Sequence, residues 1–395
     1  MIPVDDALAL LDGATSALPA EVVPTLEALD RVLAGPTVAA NQMPLFDSSA
    51  VDGYAVRAED LAGAPVTLPL GGIVPASGHD ERPTLSRGTA VRIFTGGLVP
   101  SGADTVVRQE LTARPDDEHV TIESELPVGT DLRIAGEELA AGTVIAEAGA
   151  LVTPGLLAAL AFVGVPAVSV RRRPRVQVFV TGDEVVPLGE PLRLGQIPDS
   201  NGPLVAAHLA RWGVVDVRVA PLVDDRSAVE RALAAALDEV DLVITTGGVS
   251  VGDYDFIPAA AEAVGAERLF WKVAQRPGMP LYAARRGSSL LVGLPGNPGA
   301  VVVNLHVFVR HVLDRLAGRR VERWHQADAP ADLPSLPEKT SWVRATASYD
   351  DGRVELRTLT GQASHMLANL AQATALLRVP PGGAGSTIAW TEVGS

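Results

Sequence analysis

Cysteine is absent from this 395-residue chain, which excludes disulfides, thiolate nucleophiles and cysteine-based zinc or iron–sulfur sites together. Aromatic residues make up only 4%, so Ala, Val and Leu must fill the core; with 47% hydrophobic and 20% charged residues the composition is still globular. Lysine is nearly missing, Lys272 and Lys339 standing against 30 arginines. The formal net charge of −15 argues against an extended nucleic-acid groove or an anionic membrane surface and favours small-molecule partners. The seven histidines show no His-Glu-x-x-His spacing, and no Gly-x-x-x-x-Gly-Lys-[Ser/Thr] loop occurs. The start of the chain, MIPVDDALALL, is acidic where a secretory signal is basic, so the cytoplasm is the default location. The one long uncharged run, residues 151–170 before Arg171-Arg172-Arg173, mimics a membrane span. Pro154, Gly155, Gly164 and Pro166 divide it into a helix of about ten residues and a short strand.

This length accommodates two to four domains of about 100 to 200 residues. Periodicity predicts an amphipathic helix over 3–17 and a second helix over 25–33. Between 39 and 142 short apolar runs (66–72, 89–95, 120–123) broken by Gly and Pro read as an inserted β-rich domain. Strands and helices then alternate: strand 176–180, helix 202–212, strand 215–220, helix 227–237, strand 242–245. Strand-like runs at 268–273, 281–284 and 289–292 lead to a long helix from Pro298 to 316. Such alternation predicts a doubly wound, mostly parallel α/β domain with ligands beyond the carboxyl ends of its strands. The expected architecture is multidomain α/β: an α/β domain (1–20 and 170–320), a small mixed linking domain (21–38 and 143–169), the inserted β-rich domain (39–142) and a C-terminal β domain (321–395).

The stretch DLVITTGGVSVGDYD, 241–255, is the strongest chemical signal. An apolar strand ends in Thr245-Thr246-Gly247-Gly248, where residues without Cβ let a ligand touch backbone. Ser250, Gly252, Asp253 and Asp255 follow near the start of the next helix, where free N–H groups bind anions and carboxylates can hold a cation against a phosphate. An ordinary strand-to-helix turn explains Gly-Gly alone equally well. Glu184, in Thr181-Gly182-Asp183-Glu184, directly follows the first strand of the α/β domain at its ligand-binding end. Ser48 and Asp52 in FDSSAVDGY also read as capping residues of a turn, and Thr95 in RIFTGG as a strand-end turn. Of Asp224-Asp225, at least one is expected to cap the next helix.

Together, FDSSAVDGYAVR, RIFTGGLVPSGADTVVRQE, LRIAGEELAAGTVI, VFVTGDEVV, GQIPDSN, DLVITTGGVSVGDYD, RPGMPL and LVGLPGNP resemble, in order, the MoeA family of molybdopterin molybdenumtransferases, which includes the E domain of gephyrin. The resemblance implies an elongated four-domain homodimer. Its site would lie between the inserted domain of one subunit and the α/β and C-terminal domains of the other. The implied reaction inserts molybdate into adenylylated molybdopterin with Mg2+, releasing AMP, and contact with a molybdopterin adenylyltransferase is implied as well. By resemblance, Asp52, Thr95, Glu138, Glu184, Asp224 and Asp255 are catalytic positions, Glu184 and Asp255 the metal ligands. Ser48, Thr245, Gly247, Gly248, Ser250, Gly252, Asp253, Arg276, Pro295, Gly296 and Asn297 would bind substrate, with Arg344 and Ser364 on the molybdate. Two departures stand out: Glu138 replaces the family's aspartate, and Met279 in Arg276-Pro277-Gly278-Met279-Pro280 replaces a lysine. A molybdopterin adenylyltransferase and a catalytically weak dimeric scaffold are the competing readings.

Overall fold

The computed structural model describes residues 1–250, 255–319 and 323–394. The expected ligands Gly252 and Asp253, and the expected boundary at 320/321, lie outside them. At the centre is a six-stranded sheet in the order Asp216–Leu222, Arg175–Thr181, Leu242–Thr246, Ser289–Leu294, Tyr282–Arg286, Glu267–Trp271. The first four strands run parallel, and the last two pair antiparallel. Alternate residues along each strand feed opposite faces, as the two-residue period of a strand requires. Val178, Ile244 and Val292 join one core with Leu11, Val205 and Val301; Phe179, Val243 and Leu291 join the other with Val229, Leu233 and Ile257. The helices Val4–Ala14, Asn201–Arg211 and Pro298–Asn304 therefore cover one face, and Arg226–Glu239 and Ile257–Ala263 the other. Both faces are dry, which is why the strand LVITT is apolar without alternation.

The 151–170 run forms the helix Pro154–Phe162, capped by the Thr153 hydroxyl, then the strand Ala167–Arg171, which pairs with Ala20–Pro24. Among the described residues no helix is long and apolar enough to cross a membrane. The helix predicted over 25–33 is not formed. Its place is taken by a single 3-10 turn, Thr25–Glu27, because Leu26 and Leu29 face outward and Asp30 adopts a left-handed conformation (φ 62°) that ends any helix. The long helix beginning at Pro298 contains a π turn, Leu305–Val309, before continuing as Arg310–Leu316.

The 39–142 segment builds a six-stranded sheet with Gly53–Val56 and Ala90–Ile93 at its centre, over two small aliphatic cores. A third six-stranded sheet is built by 325–392 around Thr340–Asp350, and its sixth strand is the short Gln275–Arg276 recruited from the α/β stretch. The loop 276–280 thus hangs between two sheets.

Candidate functional site

Beyond the carboxyl ends of the parallel strands lies a cleft of about 1100 Å3, lined by residues 181–185, 197–201, 224, 247–248, 255, 296–298, 365 and 367. Its floor is Gly247-Gly248. Gly247 has φ 96° and its N–H donates to the Leu294 carbonyl (2.8 Å); a Cβ there would stand 2.5 Å from Thr181 Oγ1. That hydroxyl is fixed, since it donates to the Thr246 carbonyl at 3.1 Å. Gly248 is equally confined, a Cβ there falling 2.9 Å from Ile257 Cγ1. The next helix begins at Ile257, so Asp255 precedes it rather than occupying its first turn.

Carboxylates ring this floor. Asp183 and Asp224 exchange backbone N–H to carboxylate hydrogen bonds, both 3.3 Å. Burial, and then the charges of Asp183, Glu184 and Asp255, raise the proton affinity of Asp224 above that of an ordinary aspartate. Asp225 is spent as a helix cap, its Oδ1 accepting from the Ala228 N–H at 2.8 Å, which leaves Asp224 to the cleft. Among the described residues no three potential ligands form a ready-made metal cage. The donor set nevertheless suits a hard cation, which takes one or two carboxylates plus substrate phosphate oxygens.

Several lining residues were not singled out from the sequence. Asp199 accepts the Gly202 N–H (2.9 Å), and Asn201 donates to the Gly296 carbonyl (2.7 Å), tying the two lips of the cleft together. Their signal was Asp-Ser-Asn before a helix in GQIPDSN. Thr245 and Pro295, by contrast, are buried behind the wall and do not line the cleft. Ser250 is exposed. From the C-terminal sheet, Ser364 accepts from Asn297 Nδ2 at 3.1 Å, and His365 completes the lining.

The inserted domain carries a separate corner. Asp52 Oδ1 accepts both the N–H and the hydroxyl of Thr95, each at 2.8 Å. The Thr95 backbone hydrogen bond, then its hydroxyl, hold this carboxyl below its usual range, and Arg92 adds a positive field. Ser48 is buried in a short pairing with Arg133, and Glu138 is exposed. None of these four lines the α/β cleft of the same chain.

The third locus is the 276–280 loop. Arg276 is exposed, and among the described residues it has no carboxylate partner. The Met279 thioether is met by the ammonium of Lys339, with Nζ 3.9 Å from Sδ. Arg344, 2% exposed, donates to the carbonyls of Gly361 (2.8 Å), Ala363 (3.1 Å) and Met366 (3.2 Å), so its guanidinium shapes the loop that presents Ser364.

Sequence profiles match in the same order as these loci: "MoeA N-terminal region (domain I and II)" over 2–164, "Probable molybdopterin binding domain" over 177–315 and "MoeA C-terminal region (domain IV)" over 326–392. A molybdopterin molybdenumtransferase of a Nostoc species is 37% identical over 374 residues, covering 92% of this chain and 85% of that protein. The chain belongs to the MoeA family. A Mycobacterium tuberculosis relative named molybdopterin molybdenumtransferase 2 is 39% identical over 369 residues, covering 91% of this chain and 90% of its own. The crystal structure of a MoeA molybdopterin biosynthesis protein from Pyrococcus horikoshii superposes with a TM-score of 0.80 at 27% identity, covering 98% of this chain and 99% of that one. The MoeA family thus accounts for the fold from end to end, including the inserted and C-terminal sheets.

Proposed function

We propose that this chain is a molybdopterin molybdenumtransferase, inserting molybdate into adenylylated molybdopterin to give molybdenum cofactor and AMP. The observation that carries this reading is the glycine floor of the α/β cleft, too tight for any Cβ and ringed by Asp183, Glu184, Asp224 and Asp255. Bare backbone lets phosphate groups approach closely, while the carboxylates would repel them without a cation. Mg2+ held by Glu184 and Asp255 would neutralise that repulsion and draw electron density from the phosphate oxygens. Asp224, whose burial and acidic neighbours raise its proton affinity, is the carboxylate best suited to act as a base.

In this reading the molybdate substrate is held at the 276–280 loop. Arg276 supplies a forked donor, and Lys339 places an ammonium on Met279, the position where the family lysine is missing. Ser364 contributes a hydroxyl on the loop that Arg344 shapes. The site is composite: Ser48, Asp52, Thr95 and Glu138 reach the cleft of a partner subunit in a homodimer. The chain divides into four domains at the boundaries expected from its sequence, it works in the cytoplasm, and it receives its substrate from a molybdopterin adenylyltransferase. The test is AMP release from adenylylated molybdopterin, which should require both molybdate and a divalent cation. Efficient adenylylation of molybdopterin by ATP with indifference to molybdate would replace this reading with the adenylyltransferase one.

A further inference from the structure

A second cavity, of about 410 Å3, opens on the far side of the α/β domain, where residues 171–174, the end of the helix Asn201–Arg211 and the helix Arg310–Leu316 meet. Its lining holds eight arginines against two aspartates, in a chain whose net charge is −15. Some of this charge is structurally committed. Arg172 forks onto Asp241 (2.7 and 2.9 Å), Arg323 onto Asp314 (2.6 and 2.7 Å), and Arg31 pairs with Glu21. Arg171 and Arg319 donate to backbone carbonyls of Leu18 and Asp30.

Arg173, Arg211 and Arg310 have no carboxylate partner among the described residues. Arg211 closes a helix, whose carbonyl end favours a cation, but that does not explain the interior of the cavity. There the Arg310 guanidinium lies 5.1 Å from the Trp212 ring centroid. Its Nε, the Arg319 Nε and the Trp212 indole N–H are all buried without an acceptor. Buried donors are nearly always satisfied, so three orphans on residues that line one cavity mark a missing acceptor. Burial, then the neighbouring Arg323, push Arg310 down to about 10, and it still carries its charge at neutral pH.

We propose that this cavity binds a phosphate-type oxyanion, with Arg310, Arg319 and Trp212 as inner donors and Arg173 and Arg211 at the rim. Planar guanidinium forks match tetrahedral oxyanions, and the volume falls in the range of about 300–1,000 Å3 typical of small-molecule sites. The anion is therefore either free phosphate or the phosphate of a small carrier such as a nucleotide. This site shares no lining residue with the glycine-floored cleft and does not depend on the function assigned there.

Calorimetric titration of the full chain at constant ionic strength, with inorganic phosphate, AMP and chloride as probes, tests the assignment. Saturable binding of phosphate or AMP, but not chloride, should weaken at least about tenfold in Arg310→Gln and several-fold in the double variant Arg173→Gln/Arg211→Gln. It should be unchanged in Arg276→Ala. Tighter binding of AMP than of phosphate identifies a nucleotide as the carrier, and equal binding identifies free phosphate. Absence of saturable phosphate binding overturns the assignment, as does phosphate binding that survives both cavity variants or disappears in Arg276→Ala; for AMP, only the part lost in the cavity variants counts, because the glycine-floored cleft also takes AMP. If Arg310→Gln does not fold, the rim double variant decides alone.

Discussion

Thr-Gly-Gly ends a strand twice in this molecule, at Thr95-Gly96-Gly97 and at Thr246-Gly247-Gly248, and the two turns use their glycines differently. In the α/β domain both glycines are hemmed in, by Thr181 and by Ile257, and the absence of Cβ is what keeps the cleft floor low. In the inserted domain Gly96 (φ 81°) faces open space, and the useful group is Thr95, whose N–H and hydroxyl lock the Asp52 carboxylate. The same tripeptide builds a cleft floor in one place and an aimed side chain in the other. What decides is what faces the first glycine of each pair: Gly247 stands against the Thr181 hydroxyl of the neighbouring strand, whereas nothing lies within 4 Å of a Cβ at Gly96.

Substitutions should separate the two turns. Gly247→Ala combines a forced left-handed backbone with a Cβ against an immobile hydroxyl, so about 3 kcal/mol of stability and essentially all AMP release should be lost; urea unfolding reads the first. Asp52→Ala should leave folding intact while lowering kcat by about a hundredfold or more. Mixing it with Asp255→Ala should restore part of the activity through mixed dimers, and no recovery would argue against a composite site. Lys339→Met should weaken molybdate binding by about tenfold, with Met279→Lys in the same chain restoring it. If Lys339→Met binds molybdate normally, the ammonium on Met279 plays no part in anion recognition.

Acid should weaken the strand behind the cleft floor as well. Asp241 immediately precedes the strand that leads to Gly247. Burial pushes its carboxyl up, but hydrogen bonds from Arg172 and the Arg175 N–H outweigh that and hold it below 3.8. Its contribution is therefore present above 3.8 and lost as pH falls through the lower, folded value. The urea midpoint should drop on acidification through that window, and less steeply in Asp241→Asn. The smallest effect is expected for Gly96→Ala, at about 1 kcal/mol from backbone strain alone, with AMP release nearly unchanged.

Much of this was legible in the chain itself. The run of strands and helices from 175 to 316, the cap at Asp225 and the glycine floor follow from local periodicity and turn chemistry. The missed helix over 25–33 shows where that stops: the core that Ala28 and Leu33 enter is completed by Val152, Leu160, Val168 and Val170, far along the chain, and it leaves Leu26 and Leu29 outside. The neighbours of Met279 were equally hidden. Arg276 was the obvious replacement by proximity in sequence, yet the cation that reaches Met279 is Lys339, brought there by strand pairing between Gln275–Arg276 and Thr340–Asp350.

That pairing makes the 276–280 loop a splint. Gln275 donates to the Gly278 carbonyl and to Asn304 Oδ1, both at 2.8 Å, and accepts the Trp342 indole N–H at 2.7 Å. One buried amide thereby fastens the loop, the helix Pro298–Asn304 and the C-terminal sheet to a common point. A swing of the C-terminal sheet relative to the central one must carry Arg276 and Lys339 together, so the two cations keep their spacing while their distance from the glycine floor changes.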